Sequence, residues 1–409
     1  MLNFVWILFF LSAFAVALCK LLFLGDQTAF AAIIEAMFGQ AKTAFEISLG
    51  LSGVLALWMG LMKIGEHSGF VALLTRALNP LFSHLMPEIP HSHPALGAMT
   101  MNIAANMLGL DNAATPMGIK AMQEMQSLNP HPDRASNAQI LFLVLNTSSV
   151  TLFPVTIFAY RAQLGAANPT DVFIPILIAT YASTLAGLLA VAWVQKIRLW
   201  DKVVLAYLGG ITALIGGMLA YFAGLEQAEM MRQSALVSHV VLFALVVAFI
   251  VAALHKELNA YELFVDGAKQ GFQTAISIIP YLVAMLVAFG VFRASGALAL
   301  LTDVIGLLTD LMGLDKRFID AVPTALMKPF SGSGARAMMI DTMQTHGADS
   351  FVGRMASVVQ GSTETTFYVL AVYFGAVNIK RIRHAAACGL IADLAGISTA
   401  IFMTYWFFG

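Results

Sequence analysis

Gln360-Gly361-Ser362-Thr363-Glu364-Thr365-Thr366 stands in the middle of an apolar stretch over residues 351–375. A second run, Asn146-Thr147-Ser148-Ser149 with Thr151, breaks the stretch over 140–160 in the same way. Hydroxyls, amides and a carboxylate at mid-depth of a bilayer are expensive unless they face protein or a wet cavity. A matched pair of breaks in two similar halves is the pattern of a transporter whose site lies where its repeats meet.

Composition supports a membrane setting. Of 409 residues 59% are hydrophobic and 11% charged, with a mean hydropathy of +0.81, so polar groups cannot cover a soluble surface. The expected fold class is an all-α polytopic membrane protein. Apolar stretches long enough to cross run over 2–19, 44–63, 140–160, 173–195, 203–224, 235–255, 273–293, 351–375 and 385–407, giving about nine transmembrane helices. No Lys or Arg precedes 2–19 and no small-residue cleavage site follows it, so it reads as a retained span. The formal net charge of −1 and the lack of a basic run argue against a nucleic-acid partner. Cys19 and Cys388 lie in or beside apolar segments and His91-Ser92-His93 is an isolated pair, so no metal and no cofactor is expected. The 22 methionines read as core filler.

Two further stretches are apolar but too punctuated to cross. Residues 94–126 carry Asn102, Asn106, Asp111, Asn112, Thr115, Pro116 and Lys120; residues 323–344 carry Lys328, Pro329, Ser331, Ser333 and Arg336. Each reads as two half-helices meeting at a tip, a re-entrant hairpin facing a cavity. Residues 68–86 and 296–313 read as amphipathic connectors. The halves repeat: at a constant offset of 227, Ala41, Lys42 and Phe45 match Ala268, Lys269 and Phe272, while Ser68-Gly69 matches Ser295-Gly296. Farther on, Ser148, Thr151, Phe153 and Val155 meet Ser362, Thr365, Phe367 and Val369. Lys196, Arg198 and Lys202, and again Lys380, Arg381, Arg383 and His384, fall between spans and should be cytoplasmic. The parity of crossings then puts the N-terminus inside and inverts the second repeat relative to the first.

The stretches Asn106-Met-Leu-Gly-Leu-Asp-Asn-Ala-Ala-Thr-Pro116 with Lys120-Ala-Met-Gln-Glu124, and Lys328-Pro-Phe-Ser-Gly-Ser333 with Gln360-Gly-Ser-Thr-Glu-Thr-Thr-Phe-Tyr-Val369, resemble those of spore maturation proteins A and B. The two look fused here, over nearly the whole chain. Those proteins carry the nucleoside recognition, or gate, domain shared with concentrative nucleoside transporters. The resemblance implies two inverted gate repeats, at 1–200 and 231–409, joined by a linking transmembrane helix and external loop at 201–230. It also implies two re-entrant hairpins and two helices unwound at mid-membrane, in a multi-pass protein of the bacterial inner (cell) membrane.

The expected function is transport of a small polar, anionic solute by alternating access, coupled to H⁺ or Na⁺. A nucleoside transporter and a non-transporting subunit or scaffold in envelope or spore maturation stand beside it. The candidate substrate-binding residues are Asp111, Asn112, Thr115, Asn146, Thr147, Ser148, Lys328, Ser331, Ser333, Arg336, Gln360, Ser362, Thr363 and Glu364. Cations at the membrane centre need partners, and Asp111, Asp341 and Glu364 are the acids available to Lys328 and Arg336. Alternatively, a cation beside the Ser331–Gly334 tip accepts an anionic group of the solute. Glu364 is a candidate for carrying the coupling ion, and Asp393 and Arg354 read as a positioning pair or as helix-packing groups. Ser331-Gly-Ser-Gly334 lacks the strand-turn-helix setting of a serine nucleophile and no phosphate-binding loop exists, so an enzyme is not expected. The partners are the bilayer, a small-molecule substrate and the coupling ion; a homo-oligomer is compatible with this reading.

Loop charge and parity yield a first prediction. The N-terminus and the loops at 196–202 and 380–384 should be labelled from the cytoplasmic side in a cysteine-accessibility scan, and the C-terminus from the opposite side. Both termini on one side would sink the inverted repeat.

Overall fold

In the computed structural model, which describes residues 2–109, 111–148, 151–311, 313 and 315–409 (backbone alone for 2 and 111–113), the chain is helical from end to end. The first eight helices are α1 (Leu2–Leu24), α2 (Ala29–His67), α3 (Phe70–Leu85), α4 (Pro94–Met107), α5 (Asp111–Ser127), α6 (Asn137–Ser148), α7 (Val155–Gln163) and α8 (Phe173–Gln195). After α9 (Lys202–Ala223) the order returns: α10 (Gln227–His255), α11 (Ala260–Ala294), α12 (Ala297–Leu311), a 3-10 turn (Lys316–Ala321), α13 (Val322–Met327), α14 (Gly332–His346), α15 (Phe351–Gly361), α16 (Thr366–Gly375) and α17 (Ala385–Phe408). Among the described residues there is no β-strand, only an isolated bridge between Arg134 and Arg381.

This is an all-α polytopic membrane protein. Seven helices, α1, α2, α8, α9, α10, α11 and α17, are long and apolar enough to cross a bilayer. The remaining two expected crossings are the interrupted ones, which fold as α6 then α7 and as α15 then α16. The polar runs are where helix stops. Exposed Leu8, Leu11, Phe14, Leu214 and Phe243 on α1, α9 and α10 suit contact with acyl chains. The expected connectors are α3 and α12. The first buries Val71, Leu81, Phe82 and Leu85, while the second exposes Leu300, Val304, Leu307 and Leu311. Repeat-equivalent glycines open both connectors with the same left-handed backbone, Gly69 at φ 88° and Gly296 at φ 87°.

The chain folds into two compact units, and each draws on both sequence halves. One comprises Met1–Met59, Thr156–Pro169 and Ala268–Gln360. Here α1 packs on the start of α2 and the end of α11 through Ala13, Ala17, Ala29, Ile33 and Val291. Trp6 Nε1 donates to the Ala284 carbonyl over 3.0 Å. Arg161 of α7, fully buried, donates to the Ala348 carbonyl at 2.7 Å and to Asp349 Oδ1 at 3.2 Å, fastening α7 to the turn between α14 and α15.

The other unit comprises Gly60–Val155, Thr170–Gly267 and Gly361–Gly409. Its core runs from Leu81, Phe82 and Met99 through α6 to Leu370, Phe374 and Cys388. Three helix ends meet at one edge: Gln195 Nε2, ending α8, lies 3.1 Å from the Asn137 carbonyl at the start of α6 and 3.0 Å from His384 Nε2 at the start of α17. The loop before α6 also lies against the loop before α17, with the Ala135 amide donating to the Arg381 carbonyl over 3.0 Å. These ends therefore share one side, as parity requires if 323–344 does not cross.

His384 gives this edge a pH dependence. Burial, then the nearby Arg383 charge, holds its imidazole below the ordinary 6.5, and its Nε2 accepts from Gln195 only when neutral. As pH falls below about 6.5 the unfolded chain takes up the proton first, so stability is present above that value and is lost on acidification. The thermal midpoint in detergent should fall through this window, and His384→Gln should flatten the dependence.

Candidate functional site

In the unit containing α6 and α16, α6 stops at Ser148 and the chain runs non-helically through 151–154 before α7. Asn146, Thr147 and Ser148 are all buried. Asn146 is the junction: its Oδ1 accepts from Asn106 Nδ2 at 2.8 Å and lies 3.4 Å from the Tyr373 hydroxyl of α16. That hydroxyl in turn accepts from Asn102 Nδ2 at 3.2 Å, and the same Asn102 amide reaches the Ala114 carbonyl at 2.8 Å, closing α4 on α5. Thus α4 and α5 form the first hairpin, and the Leu152 amide of the break donates to the Met107 carbonyl at the end of α4 over 2.9 Å.

The second break begins in this unit at Gly361. The Glu364 amide donates to the Thr147 carbonyl over 2.7 Å, and Thr363 Oγ1 lies 2.8 Å from the same oxygen. Asp393 of α17, 2% exposed, accepts from Thr363 Oγ1 at 2.7 Å and from Thr366 Oγ1 at 2.6 Å. Two glycines permit this approach: a Cβ on Gly389 would stand 2.7 Å from Thr366 Cγ2, and one on Gly396 2.8 Å from the Ser362 carbonyl. Ser362 and Thr363 are buried, whereas Glu364 is exposed. Thr115, on α5, is half-buried.

The unit containing α13 and α14 holds the second hairpin. Its chain reverses between Met327 and Gly332, where Ser331 caps α14 by accepting from the Gly334 amide at 3.0 Å and lies 3.2 Å from Ser333 Oγ. Lys328 is buried at the reversal, and Arg336, half-buried, stands 5.7 Å from the centre of the Tyr160 ring of α7. Asp341, offered above as an acid for these cations, instead pairs with Arg293 at the end of α11 over 2.9 Å; Gln40 of α2 reaches its other oxygen at 3.5 Å. Gln360 is buried in α15, and its Oε1 has no partner among the described residues.

Each unit therefore gathers one hairpin, and both breaks lie in the unit that holds the first. Unit by unit, Asn146, Thr147, Ser148, Ser362 and Thr363 come together, as do Ser331 and Ser333. The side chains of Asp111 and Asn112, and Ser149 of the first run, lie outside the described residues. Sequence reasoning offered Arg354, which lies against Asp349, to pair with Asp393; it passed over Tyr373 as a site residue and the hydroxyls of Thr363 and Thr366 as the partners of Asp393. The signal for the latter is a lone acid flanked by Gly389 and Gly396 on one helix face. A separate cleft of about 880 Å³ opens at the edge where α6 and α8 meet, lined by His84, Glu88, Lys196, Arg198, Trp200 and Asp201; none of the break residues lines it.

The model of the Gate, or nucleoside recognition, family matches residues 48–164 and 275–380, more than half of the chain. The chain belongs to the nucleoside recognition family. Each matched stretch holds one hairpin and one break of this Gate protein, so the matched regions coincide with the polar machinery. Spore maturation protein A of Bacillus subtilis (strain 168) is 46% identical over 155 residues, 38% of this chain and 79% of that protein. Spore maturation protein B of the same organism is 49% identical over 154 residues, 38% of this chain and 85% of that protein. The likeness read in the hairpin and break motifs is borne out.

The Asn102–Tyr373–Asn146 chain of hydrogen bonds can be tested alone. Tyr373→Phe removes one hydroxyl and should destabilise the protein by about 1–2 kcal/mol, seen as a lower unfolding midpoint with helix content unchanged.

Proposed function

We propose that this Gate protein is a carrier of a small polar, anionic solute, working by alternating access and coupled to H⁺ or Na⁺. The observation that supports this is a set of buried polar atoms at the hairpins and the second break that lack a protein partner among the described residues: Asn102 Oδ1, Thr324 Oγ1, Gln360 Oε1 and Thr365 Oγ1. Each such atom left dry costs about 1–3 kcal/mol, so water or a passing solute is its natural partner. Helices interrupted at mid-length supply further backbone donors and acceptors for a solute and an ion.

The anionic preference rests on the second hairpin, where Lys328 and Arg336 stand at and just beyond the N-terminus of α14. An anion near a helix N-terminus is favoured by the free amides there. The other unit, taken by itself, offers Thr115, Asn146, Ser148, Ser362 and Thr363 as uncharged polar groups, with Glu364 exposed beside them. We place the protein in the bacterial cell membrane with its N-terminus cytoplasmic, in keeping with the cations of loops 196–202 and 380–384. The family name favours a nucleoside as the competing solute, and the names of the two relatives favour a maturation scaffold.

Purified protein in sealed liposomes separates these readings. Uptake should be found for small carboxylates in a panel that includes nucleosides. Arg336→Gln should weaken apparent affinity for the carboxylate about ten- to a hundredfold, the value of a charge-assisted hydrogen bond, with far less effect on a neutral solute. Uptake of nucleosides alone would transfer the assignment to them; no flux from folded protein would leave the scaffold.

A further inference from the structure

Asp393 lies outside both stretches matched by the family model, yet it organises the second break. Its two oxygens take the hydroxyls of Thr363 and Thr366 at 2.7 and 2.6 Å, distances in the range of charge-assisted O–H···O bonds. Thr363 Oγ1 also sits 2.8 Å from the Thr147 carbonyl and 3.3 Å from its neighbour's carbonyl at Glu364. A threonine hydroxyl carries one proton. It cannot donate to Asp393 and to Thr147 at once.

We propose that Asp393 is a proton-binding site, and that its proton decides which acceptor Thr363 serves. With the carboxylate ionised, both hydroxyls donate to it and the Thr147 carbonyl keeps only the Glu364 amide. When a proton from water binds Oδ1, the carboxyl O–H donates to Thr363 Oγ1, which passes its own hydrogen to the Thr147 carbonyl. No other bond is made or broken. The protonated state therefore adds a second tie between residues 362–365 and the end of α6.

The elements packed on α17 leave this choice to Asp393. Neither α6, α8 nor α16 carries an acidic, basic or histidine side chain. Of their tyrosines, Tyr181 bonds Thr212, Tyr373 bonds Asn102 and Asn146, and Tyr368 is exposed. On α10, Glu229 pairs with Arg232, and His239 and His255 are exposed. On α17 itself Cys388 is buried and Tyr405 lies three turns on, and Glu364 of the break is exposed. The proton would be the coupling ion of the carrier proposed above. That extension rests on the transport reading; the proton site does not.

The experiment is pH-difference infrared spectroscopy of the purified chain in lipid nanodiscs, with hydrogen exchange over residues 361–366. Acidification should raise a protonated-carboxyl band that Asp393→Asn lacks and that Glu364→Gln and Thr363→Val keep. Exchange at the Glu364 amide should slow on acidification beyond the intrinsic pH effect in the parent protein and not in Thr363→Val. Should Asp393→Asn fail to fold, Asp393→Glu, which keeps the acid on a longer arm, should shift the band. A band indifferent to both Asp393 variants overturns the proposal, as does equal slowing in Thr363→Val. A band that depends on Asp393 in a protein that moves no solute removes the transport reading and upholds the proton site.

Discussion

Backbone that leaves the helix at membrane depth must find its hydrogen bonds within the protein. Here the two breaks satisfy each other: the Glu364 amide donates to the Thr147 carbonyl over 2.7 Å, so the end of one interrupted helix is the partner of the other. Thr147 would otherwise hold one of the unpaired carbonyls that every helix C-terminus presents. The rest of that unit converges on this bond. Asp393 holds Thr363 and Thr366 beside it, Asn146 one residue earlier is tied to the first hairpin and to Tyr373, and Gly389 and Gly396 let α17 come close.

The same logic explains why the interrupted helices are divided between the units. In one unit, α16 from the second half gives Tyr373 to the first hairpin. In the other, α7 from the first half gives Tyr160 to Arg336 of the second hairpin and buried Arg161 to Ala348 and Asp349. Each hairpin is thus held by an aromatic residue from the opposite half of the sequence. A break in the helix is what allows its two arms to serve different bodies.

Much of this was legible in the sequence because it follows from the cost of polar groups in a bilayer. The seven long apolar helices, both hairpins and both breaks could be marked from apolar stretches and from runs such as Gln360–Thr366 inside them. What stayed hidden depends on which face a residue takes and what it meets far along the chain. Asp393 is one acid in an apolar helix, and no local pattern says that it meets Thr363 and Thr366. Asp341 could be matched with any nearby cation by charge alone; packing of α11 on α14 selects Arg293. Asn102 and Asn106 were visible as interruptions, but their partners Tyr373 and Asn146 come from separate elements.

The reciprocal fastening of the breaks has a consequence for biosynthesis. Residue 363 follows residue 147 by more than two hundred positions, and at ~5–20 residues per second the ribosome needs roughly ten to forty seconds to make the difference. During that interval the newly inserted first half holds Asn146 without Tyr373 and the Thr147 carbonyl without the Glu364 amide. Contacts so distant in sequence are slow to close, and the waiting segment is a surface that an insertase, a chaperone or another nascent copy could occupy before its own second half arrives.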